Sequence, residues 1–232
     1  MSSPAKSIFF AAVLSIICGS LLTLASKGLE KYQIKNIEFD RQQNILKSVG
    51  LLEKGKTITP DKIEQLYSEH IRPMWVNSEG TLVKKYKKEK NYLQVYLYIQ
   101  QGSIKAYIIP VYSRGLWGKI FSYLAIGKDG NTIFGFTVYR HQETPGLGAE
   151  IDKKWFQQNF VGKKILDDQG DFVSITIAKG NVRGIMPESQ QQNFVDGISG
   201  ASMTGKFLSE GLKQTLINYE PLAKRLRKNA VE

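Results

Sequence analysis

From Ser7 to Ser26 (SIFFAAVLSIICGSLLTLAS) the chain runs through twenty residues without one charged side chain. A helix satisfies its own backbone hydrogen bonds, and about 20 residues at ~1.5 Å rise cross the ~30 Å hydrocarbon layer. The run predicts a transmembrane helix over 7–26 and leaves the later residues to build any soluble core. A cleaved signal has a shorter apolar stretch and an Ala-x-Ala-like site, which Thr23-Leu24-Ala25 matches poorly. Lipoprotein processing at Cys18 needs a small residue where Ile17 stands. A retained single-pass anchor in membrane lipid is the expectation. With no ionisable residue, one such span cannot form an ion pathway by itself.

Lys6 is the only charged side chain before the span, whereas Lys27, Lys31 and Lys35 follow it. By the positive-inside tendency this places the C-terminal side in the cytoplasm. The net charge of +11, from 32 Lys+Arg against 21 Asp+Glu, raises the question of nucleic acid. No zinc-finger or RNA-binding sheet motif accompanies the Lys84–Lys90 run, so a solvated face and no nucleic-acid partner are expected. The single cysteine, Cys18, allows no internal disulfide and at most one thiolate for a metal, and no metal site is expected.

Residues 33–50 predict a polar helix leaving the membrane and stopping at Gly50. Thr59 as N-cap and Pro60 at the first helical position open a second helix to about His70. Strands are predicted over 92–99, 104–111, 117–126, 132–138 and 172–177, with a hairpin turn at Gly127-Lys128-Asp129-Gly130-Asn131. Helices are predicted over 151–160 and 203–219. The strands arrive in neighbouring pairs, and no glycine-rich turn joins strand to helix in βαβ fashion. The expected fold class is α+β: a mainly antiparallel twisted sheet with flanking helices, preceded by one N-terminal transmembrane helix. The basic stretch Lys224–Lys228 is expected to fray into solvent within a tail at 221–232.

Two segments carry chemistry. Asp196-Gly197-Ile198-Ser199-Gly200-Ala201-Ser202-Met203-Thr204 sets small residues and hydroxyls ahead of an amphipathic helix with Leu208, Leu212 and Leu216 on one face. A helix start offers unpaired N–H groups and the positive dipole end to a phosphate, although such a stretch alone also fits a Ser/Gly-rich cap. In His141-Gln142-Glu143-Thr144-Pro145-Gly146-Leu147-Gly148-Ala149, Pro145 stiffens a turn. Gly146 and Gly148 are expected to allow positive φ and expose backbone N–H groups to a planar ring, with Leu147 packed on its face, although taken alone the segment fits an ordinary Pro-Gly loop better. Glu143 either hydrogen-bonds locally or touches the ligand's edge. Trp117 and Trp155 fit core aromatics equally well, and His141 reads as structural or exposed.

With Gly115-Leu116-Trp117-Gly118, Gln42-Gln43-Asn44-Ile45-Leu46 and the 160–172 stretch, these segments resemble the C subunit of the sodium-translocating NADH:quinone reductase. The related FMN-bearing G subunit of the ferredoxin:NAD electron-transport complex is the alternative. The resemblance covers most of the chain, and it implies a bacterial inner-membrane electron carrier rather than a complete enzyme. Its covalent FMN passes electrons toward ubiquinone alongside the other subunits of a respiratory complex. The motif Asp-x-x-(Ser/Thr)-Gly-Ala-(Thr/Ser) implies a phosphoester on Ser202, made by a flavin transferase. Thr204 is the competing acceptor, and threonine is usual where Ser202 stands. The implied cofactor-binding residues are Glu143, Thr144, Pro145, Gly146, Leu147, Gly148, Asp196, Ser199, Gly200, Ala201 and Thr204, with no catalytic side chain. The implied organisation is a cytoplasmic N-terminus at 1–6, the span at 7–26, a membrane-proximal helical region at 27–91, an extracytoplasmic FMN-binding domain at 92–220 and the tail. That orientation opposes the lysine count.

Two other classes compete. A serine hydrolase is suggested by Gly197-Ile198-Ser199-Gly200-Ala201, but the polar residues 188–193 replace the strand that a nucleophile elbow requires. An anchored binding module without flavin explains the anchor and the charge, but leaves both glycine-rich segments without a role.

Overall fold

The computed structural model describes residues 4–52, 58–84 and 92–229; most of the Lys84–Lys90 run lies outside them. The chain divides into two compact units, Met1–Arg41 and Gln42–Glu232. Helix α1 (Pro4–Ser48) is continuous, so the expected span and the expected polar helix are one element. Its most apolar 18-residue window has a mean hydropathy of 2.4, enough by length and composition to cross a membrane. Gly50, at φ +73°, closes the turn after it. Helix α2 (Pro60–His70) follows Thr59, with Pro60 where a missing N–H costs nothing.

The second unit is built on strands β1 (Ile71–Val76), β2 (Leu82–Val83), β3 (Leu93–Gln100), β4 (Ser103–Arg114), β5 (Lys119–Gly127) and β6 (Ile133–Arg140). They form one antiparallel sheet in the order β2-β1-β3-β4-β5-β6. The α+β expectation is met. Four strands lie where alternation and turn signals put them, including the β5–β6 hairpin closed by Gly127 and Gly130. Strand β1 escaped the sequence pattern because Arg72 and Pro73 interrupt any alternation. It pairs along its whole length with β3, so the 27–91 region expected to be helical supplies two strands of the sheet.

Past β6 come a 3-10 turn (Gly148–Asp152) and a short helix α3 (Lys154–Gln158), replacing the one helix expected over 151–160. The break falls at Lys153, which is extended at φ −77°, ψ 148°. The strand expected over 172–177 shrinks to β7 (Thr176–Ile177), paired in parallel with β8 (Phe194–Val195). Ser174 adopts φ +72°, and the N–H groups of Val173 and Ser174 both donate to Ile165 O, which interrupts the run. A single turn α4 (Val182–Ile185) and a 3-10 segment (Glu188–Asn193) precede β8.

Helix α5 (Ser202–Asn229) crosses one sheet face. Leu208, Leu212 and Leu216 are buried against Ile109, Val111, Ile120 and Leu124, each contributing about 1.5–3 kcal/mol of apolar burial. Gly211 lets the helix lie on β4, since a Cβ there would sit 2.8 Å from Ser113 Cα. The expectation that Lys224–Lys228 frays into solvent is overturned, since α5 runs to Asn229. The helix continues through Pro221 because Leu222, Ala223 and Leu226 are buried. Arg227 pairs with Glu220 and donates to Gly130 O at 3.0 Å, while Arg225 Nε donates to Glu79 O at 2.9 Å. Apolar contacts on one side of the stretch thus offset the lost backbone donor, and its two arginines dock on two turns.

Candidate functional site

Three stretches far apart in sequence meet beside the first turn of α5: the Gly115–Gly118 turn between β4 and β5, the 141–149 loop after β6, and residues 196–204. The Glu143 carboxyl group joins them. It is 5% exposed; its Oε1 accepts the Trp117 N–H at 3.1 Å and its Oε2 accepts the Thr204 hydroxyl at 2.5 Å. Glycine makes room on two sides. A Cβ on Gly148 would fall 2.6 Å from Thr204 Oγ1 and 2.8 Å from Glu143 Oε2, and one on Gly115 would collide with Glu143 Oε1. Gly148 is therefore required by close approach. The expected positive φ holds for Gly146, at +74°, but not for Gly148.

The 144–149 loop is tied into a turn by the N–H groups of Leu147 and Ala149, which both donate to Thr144 O at 3.1 Å. Trp117 lies over it, its indole N–H donating to Thr144 Oγ1 at 3.0 Å. The ring is 67% exposed, so it is no core aromatic. Neither is Trp155, whose indole N–H reaches Glu150 Oε2 at 3.2 Å. His141 is structural: its Nδ1 accepts the Glu143 N–H at 3.1 Å, and its Nε2 lies 3.5 Å from Asp152 Oδ2. Thr144, Pro145, Gly146 and Leu147 form the exposed rim.

Opposite this rim, Gly200 takes φ +73° and faces Leu147, whose Cδ2 lies 2.8 Å from where a Cβ would stand. Ser199 is exposed and Ala201 is buried in the core. Ser202, the first residue of α5, is exposed, whereas Thr204 is 1% exposed and committed to Glu143. The intrahelical ladder begins with Gly205 N–H donating to Ala201 O at 3.0 Å. Helix geometry leaves the Ser202, Met203 and Thr204 N–H groups without an intrahelical acceptor. Asp196 is turned away toward α4, accepting the Val182 N–H at 2.7 Å. Nearby, burial lowers the Lys163 pKa, with Asp196 opposing that shift and Arg183 adding to it.

An exposed hydroxyl on a helix start that still carries unshared N–H groups fits a phosphoester-linked nucleotide. Exposed Leu147, Trp117 and Met203 offer apolar surface for a planar ring, and Gly146 borders open space with nothing within 4 Å of a Cβ. The Gly115–Gly118 turn went unrecognised as part of this site. A tryptophan between two glycines at a hairpin tip was the available signal.

The fold and the site define an FMN-binding domain, and residues 115–217 match the family described as FMN-binding domain. The C subunit of the Na(+)-translocating NADH-quinone reductase of Neisseria meningitidis serogroup A is 34% identical over 218 residues, covering 83% of this chain and 81% of the relative. That of Yersinia pestis is 28% identical, covering 98% of this chain and 94% of the relative. The crystal structure of the corresponding Parabacteroides distasonis protein superposes with a TM-score of 0.71 at 31% identity, covering 84% of this chain and 96% of that one. This chain belongs to the C-subunit family of the Na(+)-translocating NADH-quinone reductases.

Proposed function

We propose that this chain is an electron-carrier subunit of a sodium-translocating NADH:quinone reductase, with FMN held as a phosphoester on Ser202. FMN, when bound, supplies the electron transfer between redox centres on the way to quinone. The chain's residues position and shield it. Ser202 Oγ would become the ester oxygen, losing its proton as the transferase breaks the pyrophosphate bond of a flavin dinucleotide and releases the nucleoside monophosphate, and the first-turn N–H groups of α5 would stabilise the phosphate charge. The 144–148 rim and Trp117 would flank the ring. The observation that carries this reading is the contrast between two hydroxyls: Ser202 is exposed while Thr204 is buried and already donates to Glu143. A flavin transferase, the complex's other subunits and membrane lipid are the implied partners. The length and apolarity of helix α1 support a single-pass anchor; the reading sets it in the bacterial inner membrane with the flavin domain outside the cytoplasm, against the Lys27/Lys31/Lys35 count.

The test is co-expression with a flavin transferase, followed by in-gel fluorescence and peptide mass spectrometry. Ser202→Ala abolishes the fluorescent band, Ser202→Thr keeps it, and Thr204→Ala leaves any flavin on Ser202. FMN found on Thr204 would refute the attachment site. An unmodified parent chain beside an active transferase would refute the phosphoester.

A further inference from the structure

We propose that Glu143 is a positioning residue that assembles the flavin site before the flavin arrives and keeps Thr204 from serving as the acceptor. This role rests on the reading of Ser202 as the attachment residue.

A carboxyl group that is 5% exposed forfeits most of its hydration, and among the described residues no lysine, arginine or histidine lies within ion-pair distance of it. Two hydrogen bonds replace that hydration, and they come from different parts of the chain. Thr204 lies on the first turn of α5, 61 residues along, and Trp117 lies on the β4–β5 turn, 26 residues back. Gly115 and Gly148 lack the Cβ atoms that would occupy the carboxyl group's place. A surface loop that only had to turn would need neither a buried carboxyl group nor glycine at both flanks. The arrangement instead fixes the angle at which α5 leaves the Gly200 turn, and with it the outward direction of Ser202. It also satisfies the Thr204 hydroxyl in a buried bond, so of the two hydroxyls of Ser202 and Thr204 only the first faces solvent.

The experiment uses the full chain in detergent, with and without prior flavinylation. In the unmodified chain, hydrogen exchange at the Trp117 amide reads the bridge directly. With the transferase, peptide mass spectrometry reads how much FMN is attached and where. Glu143→Ala speeds exchange at the Trp117 amide about tenfold or more, the scale of a lost hydrogen bond to a charged group. Glu143→Ala and Thr204→Val each lower the attached fraction by a similar factor. Thr204→Ser, which keeps the hydroxyl, restores attachment at Ser202. Leu216→Ala, which destabilises α5 from its buried face, lowers the unfolding midpoint but leaves attachment and Trp117 protection intact. That control separates positioning from general loss of stability. Glu143→Ala with parental attachment, or with a protected Trp117 amide, overturns the proposal. If the parent chain itself is never flavinylated, the Ser202 reading fails, and the Trp117 exchange still decides whether Glu143 holds the site together.

Discussion

Gly148 offers the sharpest test of how the site is packed. It has no positive φ to protect, so on backbone conformation alone alanine would be tolerated. The contacts predict the reverse: the new methyl would lie 2.6 Å from Thr204 Oγ1, 2.8 Å from Glu143 Oε2 and 3.0 Å from Glu143 Cβ. Both oxygens are side-chain ends, but each is buried and bonded to the other, and the nearby Cβ blocks a simple rotation. Overpacking costs about 1–3 kcal/mol. Separating the hydroxyl from the carboxyl group adds about 1.5–3 kcal/mol. The sum of about 2.5–6 kcal/mol is a large part of a domain's usual ~5–15 kcal/mol. In a unit of this size it lowers the unfolding midpoint by on the order of 10 °C. Gly146→Ala is the comparison. Its backbone sits at φ +74° with nothing within 4 Å, so it bears only the left-handed strain of about 1–2 kcal/mol. Urea unfolding of the full chain in detergent, followed by tryptophan emission, measures both. Gly148→Ala within about 1 kcal/mol of the parent, or less harmful than Gly146→Ala, would refute this packing; the ~1 kcal/mol margin is the size of a typical single-mutant effect.

Two further outcomes are expected. A reporter fused after Glu232 reads as extracytoplasmic if the α1 anchor has its N-terminus inside, and a cytoplasmic signal would favour the Lys27/Lys31/Lys35 count instead. At Asp129, burial pushes the pKa up, but the Thr132 hydroxyl and the Thr132 and Asn131 N–H groups outweigh it and hold the pKa below the ordinary 3.8. A depressed carboxyl contributes stability that is present above its unfolded value and lost as pH falls through the folded one. Asp129→Asn therefore lowers stability near neutrality and flattens the acid limb below about pH 4; equal acid slopes in parent and variant would contradict it.

The central hairpins were readable because each strand carries its own signals. Ile109, Val111, Ile120 and Leu124 alternate toward α5, and the Gly127 to Asn131 turn is closed by local hydrogen bonds, the Gly127 N–H to Thr132 O and the Gly130 N–H to Gly127 O. What failed was decided by distant partners. Pro73 makes β1 unreadable until β3 pairs with it. Pro221 and the basic residues after it look like a frayed end, because nothing nearby announces that Gly80 and Gly130 leave room for the helix. A Cβ on Gly80 would strike Pro221, and one on Gly130 would lie 2.5 Å from Ala223 O. Those glycines sit in turns 141 and 93 positions upstream of their contacts, beyond any local window.

The site divides along the same line. Its two glycine-rich segments were legible as motifs, since a helix start and a Pro-Gly turn are local structures with local residue preferences. Their meeting was not, because it runs through Glu143, a residue whose local pattern fits either a local hydrogen bond or a contact with the ligand's edge. The structure buries that residue and bonds it to two partners far along the chain, the Trp117 N–H and the Thr204 hydroxyl. The contrast in exposure between Ser202 and Thr204 follows from the same placement. The two hydroxyls are two residues apart on a helix, about 200° around its axis at 3.6 residues per turn, so a first turn that sends one into the core sends the other out. Thr204 goes inward because Glu143 is there to receive it. On the proposed reading the acceptor is selected by a carboxyl group 59 positions before Ser202, so substitutions at Glu143 and Gly148, and not only at Ser202, are expected to impair the site.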